Sequence, residues 1–399
     1  MLNIVFYFQV HQPYRLKHYN VLDIAKGTDM FDDSLNALVM KKVAQKCYLP
    51  TNKLLLELIK EQEGRFKISY SITGTAIEQF KLYSPETLDS FKALVDTGCV
   101  EIIGETYFHS LAFLYDSNEF LEQVMMHREL MKQEFGYDTV TFRNTELIYQ
   151  DRLSDLIFEI QGFKTILTEG VDRILGWRSP LYAYKNYSKD INLLLKYYQL
   201  ADDIAFRFSN RDWPEYPLTV DKFVKWIDHL TLSEKDGRNQ FLNLFMDYET
   251  FGEHQWAESG IFDFMRHFPQ EVLHRNNLGF ATPREAAGQA NYQQESLSFP
   301  EPVSWADEQR DLSAWLENDM QHNAIETLYE LFEKIKDKGD EELLRTARLL
   351  STSDHFYYMC AKYFQDGDVH KYFSPYDSPD QAYIYYLNAL AELEERLMR

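Results

Sequence analysis

Carboxylates and imidazoles that close apolar runs are the residues in this chain best placed to do chemistry. FLNLFM leads straight into Asp247, with Glu249 two positions on, and TVTFRN is followed closely by Glu146. His11 and Gln12 follow LNIVFYFQV, Glu105 ends CVEIIGE, and Glu169 ends KTILTE. An ionised carboxylate at the edge of a core loses hydration and needs partners, and function is the usual reason for tolerating that loss. A strand-end acid paired with Arg or Lys is the alternative for any single one of them. Two carboxyl groups opposed across a glycosidic bond can divide the work, one protonating the leaving oxygen while the other attacks or stabilises the oxocarbenium-like centre. A gap of roughly 5–5.5 Å between them implies retention, and one of roughly 6.5–9.5 Å inversion.

The elements that must position these groups can be read from apolar runs of strand length. Seven precede residue 250, at 2–10, 66–73, 99–105, 139–144, 164–169, 191–197 and 241–248. Helical patterns at 51–62, 85–97, 118–135, 151–161 and 220–230 separate several of them, the alternation that builds a parallel sheet. Seven such units predict an α/β fold, an incomplete (β/α)7 barrel over residues 1–275. In such barrels the functional site lies at the C-terminal ends of the strands, which is where the acids and imidazoles fall. After residue 275 a polar, irregular stretch gives way to helical patterns at 308–337, 340–364 and 379–397. Residues 276–399 are therefore expected to form an α-helical C-terminal region that completes the groove.

Composition excludes several classes of partner. A formal net charge of -22 repels phosphate backbones and anionic membranes, so nucleic acid is not an expected ligand and a neutral polymer is. No run approaches the length of a membrane-spanning helix, and the N-terminus lacks a basic region and cleavage site, so a cytoplasmic location is expected. The cysteines Cys47, Cys99 and Cys360 are widely spaced and form no zinc or redox motif. Aromatic residues make up 15% of the chain; their flat faces suit sugar stacking, although burial is their commoner use.

Five segments carry a family resemblance: HQPY at 11–14, GCVEIIGETYFHS at 98–110, FRNTELIY at 142–149, MDYETFGEHQW at 246–256 and TSDHFYY at 352–358. In this order they resemble the signatures of glycoside hydrolase family 57, in particular its α-amylase-type members. The resemblance implies a seven-unit barrel and a retaining mechanism on α-glucans, with Glu146 as nucleophile and Asp247 as general acid/base. It also implies sugar contacts from His11, Glu249 and Asp354, with His109, His254 and His355 as further candidates; Gln12 and Glu105 are binding candidates from their place at strand ends. A satisfied structural imidazole is the alternative for each histidine, and core packing the alternative to sugar stacking for Trp256. FRNTELIYQD and SDHF depart from the aromatic-rich third signature and from the Trp after the fifth-signature aspartate that are common in the family. The catalytic pair is intact, and the activity stays open between α-amylase, 4-α-glucanotransferase and branching enzyme.

No cofactor or metal is expected. A metal-dependent polysaccharide deacetylase would need an Asp and two His in ligand spacing, whereas His11 and His18 are seven apart and His254 and His267 thirteen. A glucan-binding protein without turnover is the remaining alternative, and the presence of both carboxylates speaks against it.

Overall fold

The computed structural model of the chain describes residues 1–27, 29–232, 238–290, 295–362 and 374–399. All seven expected strands are present: β1 (Leu2–Val10), β2 (Ile68–Ile72), β3 (Val100–Ile102), β4 (Thr141–Arg143), β5 (Thr165–Glu169), and further on Asn192–Lys196 and Gln240–Asp247. Three short strands were not expected: Tyr184–Asn186, Leu278–Phe280 and Ser296–Leu297. In chain order these five later strands are β6 (Tyr184–Asn186), β7 (Asn192–Lys196), β8 (Gln240–Asp247), β9 (Leu278–Phe280) and β10 (Ser296–Leu297).

They form two five-stranded sheets, one in the order β3-β2-β1-β8 with β9 also on β1, the other in the order β10-β6-β7-β5-β4. Every pairing is parallel except β6 with β7. The sheets meet at two seams held by isolated backbone bonds: Gly104 N to Thr141 O (2.9 Å) and Arg143 N to Gly104 O (2.8 Å) on one side, and Tyr197 N to Asn243 O (2.9 Å) on the other. The barrel is thus incomplete, with seven main strands around one interior. Because β9 joins β1, the change of sequence texture near residue 275 comes before the last strand of the first sheet.

Strand parity fixes what lines that interior. Val5, Tyr7, Ile103, Leu167, Leu194, Phe241 and Phe245, drawn from both sheets, pack into one buried cluster. Their neighbours Ile4, Phe6, Phe8, Leu242 and Leu244 pack outward against the surrounding helices. Side chains alternate with period two along a strand, so the inward register of each strand continues upward to its last residues. That puts Gln9, Glu105, Arg143, Glu169, Lys196 and Asp247 on the same inward face at the C-terminal rim. Each fully buried Phe or Leu beneath them contributes about 1.5–3 kcal/mol, which makes the rim a rigid mount.

The helical region is as expected in kind but more broken. Residues 308–337 hold two helices, Ser313–Leu316 and Asp319–Lys338, the second opened by a capping box between Asn318 and Gln321. The helix expected at 340–364 is interrupted: Glu341–Leu350 and Ser353–Tyr357 flank Thr352, which bridges to Ser110 of the barrel, and positions 363–364 lie outside the described residues. The last helix spans Pro379–Met398. Among the described residues no helix is long and apolar enough to cross a membrane.

Candidate active site

Glu146 lies just past β4 on a short turn, in the left-handed region (φ 57°), an uncommon place for a residue with a Cβ. The next turns run antiparallel to a C-terminal segment: Tyr149 and Val303 exchange backbone bonds of 3.0 and 2.9 Å, and Trp305 N donates to Glu146 O at 3.2 Å. This pairing delivers the Trp305 indole, whose Nε1–H donates to Glu146 Oε2 at 2.7 Å. A second crossing works the same way. Ser353 N donates to His109 O at 2.9 Å, and Ser353 Oγ donates to Glu146 Oε1 at 2.9 Å.

Below Glu146 lies an ordered chain of charges. Glu105, fully buried, accepts from Gln9 Nε2 at 3.1 Å and from His109 Nδ1 at 3.1 Å. Its own backbone N–H donates to His127 Nδ1, while His127 Nε2 donates to Ile72 O, which fixes a neutral tautomer; burial lowers the pKa of that ring. The other nitrogen of His109 lies 3.5 Å from Glu146 Oε1. Burial alone would lower the His109 pKa, but its bonds to Glu105 and Glu146 outweigh burial and lift it to about 9, so it is an imidazolium at neutral pH. In return Glu105, despite burial, is held down at about 2. Glu146 is likewise lowered: burial opposes ionisation, and the His109 hydrogen bond and charge overcome it.

Asp247 ends β8 on the same rim. Burial and then the Glu146 charge push its pKa up to about 6, against the pull of Arg143, His109 and Lys196. Glu249 accepts from Tyr48 OH and from Gln12 Nε2, and burial together with the Asp247 charge raises it to about 8. Asp354 accepts from His11 Nε2 at 2.9 Å and from Thr352 Oγ1 at 3.0 Å; against burial, His11 holds it well below the usual carboxylate range. The His11 ring stacks on His109 at 4.1 Å, and burial with that neighbouring charge keeps His11 neutral, its Nδ1 paired with Thr73 Oγ1.

The residues expected from sequence therefore divide. Glu146, His109, Glu105, His11 and Asp354 are joined by hydrogen bonds, close charge contacts and ring stacking, Gln12 and Glu249 form a second hydrogen-bonded pair, and Asp247 is coupled by charge to Glu146 and Glu249. His254 is half-buried beside it, its backbone N–H on Glu249 O, and burial lowers its pKa to about 4. Trp256 is 60% exposed, which excludes the core role weighed for it. His355, 2% exposed, packs its ring against Tyr386 and Tyr358, and its buried Nε2 has no hydrogen-bond partner among the described residues. Sequence reasoning passed over Arg143, Lys196, Trp305 and Ser353. Strand parity would have found the first two; nothing local in the sequence announces that residues 305 and 353 reach Glu146. Among the described residues, no group of three or more His, Cys, Asp or Glu is arranged to hold a metal ion.

A carboxylate held ionised by a cation and two donors, coupled by charge to a carboxyl whose pKa is raised, has the electrostatics that a nucleophile and an acid would need. Comparison with known proteins places the chain in a family. A Methanocaldococcus jannaschii protein provisionally named an alpha-amylase is 44% identical over 402 residues, covering 98% of this chain and 84% of that protein. Among solved structures, a branching enzyme from Pyrococcus horikoshii superposes with a TM-score of 0.72 at 14% identity, over 97% of this chain and 88% of that one. A 4-alpha-glucanotransferase from Thermococcus litoralis gives a TM-score of 0.62 at 16% identity; the match covers 89% of this chain but 56% of that longer one. At such identities these two likenesses speak to the fold alone. The family model of glycosyl hydrolase family 57 matches residues 5–300, and the chain belongs to that family.

Proposed function

We propose that this protein is a retaining glycosidase acting on the α-1,4 linkages of glycogen, starch or maltooligosaccharides, with Glu146 as nucleophile and Asp247 as general acid/base. The observation that supports it best is the opposite setting of the two carboxyl groups: Glu146 lowered and Asp247 raised to about 6, with the Glu146 charge second only to burial among the causes. Charges couple in this way only across a short, poorly screened gap. Asp247 in its protonated form donates its proton to the leaving glycosidic oxygen as Glu146 attacks the anomeric carbon, forming a glycosyl ester. The Asp247 carboxylate then takes a proton from water as that water displaces Glu146. Glu249, neutral near pH 7, and Asp354, ionised and braced by His11, supply a donor and an acceptor for sugar hydroxyls. A cytoplasmic storage glucan fits the acidic surface as substrate.

The names of the relatives favour one second reading, transfer to a sugar hydroxyl in place of water, as in glucanotransferases and branching enzymes. One experiment addresses both. Maltooligosaccharides incubated with the wild type and with Glu146→Gln are followed by proton NMR and chromatography. The reading expects α-configured products first, only shorter products, and a loss of at least about a thousandfold in the variant. Products longer than the substrate would mean transfer. β-configured first products, or a Glu146→Gln variant with more than a tenth of the rate, would refute the roles assigned.

A further inference from the structure

Arg143 is buried to 0% exposure at the end of β4, and none of its three guanidinium nitrogens has a hydrogen-bond partner among the described residues. Its nearest counter-charge, Glu105 Oε2, is 4.0 Å from Nη1. A buried charge left without hydrogen bonds is costly, so a purely structural account leaves this residue unexplained. Its surroundings suggest a use. The guanidinium carbon lies 4.8 Å over the ring of Trp305 and 5.9 Å over that of Tyr7. A second buried cation, Lys196, sits 5.5 Å over the same indole, held in place by Asp202 at 3.0 Å.

That indole is the group that grips Glu146, through both the carboxylate (2.7 Å) and the backbone carbonyl (3.2 Å) of residue 146. A cation over an aromatic face is attracted to its quadrupole, more strongly where water is excluded. It also draws electron density from the ring, which makes the indole N–H a better donor to an anion. Arg suits position 143 because its planar head can stack on a ring while staying charged, which an ammonium does poorly.

We propose that Arg143 is a positioning residue that works through Trp305: together with Lys196 it fixes the indole so that its N–H stays on Glu146 Oε2 throughout the reaction. The inference rests on the assignment of Glu146 as nucleophile. It deepens that assignment by naming what aims it. Neither Arg143 nor Lys196 needs to touch the sugar. As the glycosyl ester forms, the carboxylate loses its charge and the bond from Trp305 weakens; when water displaces the ester, the waiting indole receives the returning anion.

The test is a double-mutant cycle on one maltooligosaccharide, with kcat and KM measured across pH for Arg143→Met, Trp305→Phe and the double variant, and with Glu146→Gln alongside. Trp305→Phe keeps a ring but loses the N–H, and Arg143→Met keeps bulk but loses the charge. Each single change is expected to lower kcat about 10- to 100-fold with KM within about threefold, and to move the acid limb of the profile upward. In the Trp305→Phe background, Arg143→Met should cost clearly less than it does alone, about threefold to tenfold, because the route through the indole is cut and only the direct pull of its charge on Glu146 and Asp247 remains. Fully multiplying losses, an unmoved acid limb, or a change confined to KM would overturn the proposal. If Arg143→Met does not fold, Arg143→Lys serves in the same cycle: it retains charge without the planar stack and is expected to fall between the wild type and Trp305→Phe, and full wild-type behaviour of this variant would likewise overturn it. Should Glu146→Gln keep its rate, the nucleophile assignment falls and this inference with it; an inactive Glu146→Gln beside an additive cycle sinks the inference alone.

Discussion

Replacing His109 by Gln tests the charge chain beneath Glu146 in a way that needs no substrate. His109 is lifted from an ordinary 6.5 to about 9, against burial, by its hydrogen bonds to Glu105 and Glu146. The folded state thus holds a proton that the unfolded chain releases above pH 6.5, so the stabilisation is fully present below that value and is lost as pH rises through about 9. At about 1.4 kcal/mol per pH unit the whole contribution is about 3 kcal/mol. Asp247, Glu249 and Glu169, whose folded pKa values are raised to about 6, 8 and 7, also bind protons more tightly when folded and lose stability with rising pH. The informative quantity is therefore the difference between wild type and variant. Denaturant midpoints taken from pH 6 to 10 should show His109→Gln less stable by about 3 kcal/mol at pH 6, with the gap closing towards pH 10. Gln is neutral at every pH in that range and can still donate to Glu105, so lost packing alone would give a constant offset. Parallel curves would show that His109 carries no buried proton and would remove the basis for an ionised Glu146.

Other consequences can be checked separately. The rate limb that falls as pH rises through about 6 belongs to Asp247 as the proton donor, and Asp247→Asn should abolish it together with most of kcat; a limb that survives the change belongs to another group. Glu119, fully buried, receives two bonds from Arg348 (2.8 and 3.1 Å) and an ion pair from Lys336 at 3.0 Å. Glu119→Gln should cost about 1–3 kcal/mol by denaturant unfolding, because Arg348 loses its buried counter-ion and keeps only the exposed Glu122 at 2.6 Å, and a loss below about 0.5 kcal/mol would contradict that account. Gly252 has φ 107° and a would-be Cβ 2.0 Å from Lys46 O, so Gly252→Ala must displace the turn that carries Glu249. A raised KM together with a stability loss of about 1–3 kcal/mol is expected, and unchanged values of both would count against a tightly fitted turn.

The main strands were legible because each sits in a longer strand-like run, as LNIVFYFQV, which is buried throughout, or CVEIIGE, of which only Val100–Ile102 form the strand. Tyr184–Asn186, Leu278–Phe280 and Ser296–Leu297 were not, since no such run surrounds them and pairing alone makes them strands. The rim acids were legible for a related reason: a charge ending an apolar run conflicts with its surroundings, and that conflict shows in one dimension. Arg143 and Lys196 show the same conflict, but each lies one residue inside its run, in TVTFRN and INLLLKY, rather than closing it. Trp305 was hidden in a different way. It lies in a polar, irregular stretch, and only the antiparallel exchange between Tyr149 and Val303 brings it to Glu146, a long-range event with no local trace.

That exchange bears on why the C-terminal region belongs to the site rather than merely covering it. His109 (φ 53°) and Glu146 (φ 57°) both sit in the left-handed region, which costs a residue with a Cβ about 1–2 kcal/mol. Each is clamped by one backbone bond from the C-terminal side, Ser353 N to His109 O and Trp305 N to Glu146 O. The side chains of the same two residues then take the two oxygens of Glu146. Strained backbone persists where its surroundings over-determine it, and here the elements that enforce the strain also orient the carboxylate. The barrel supplies the charges, and segments some two hundred positions away supply their aim. A carboxylate with both oxygens already held has little orientational freedom left to lose, which is the preorganisation that the proposed nucleophilic role would call for.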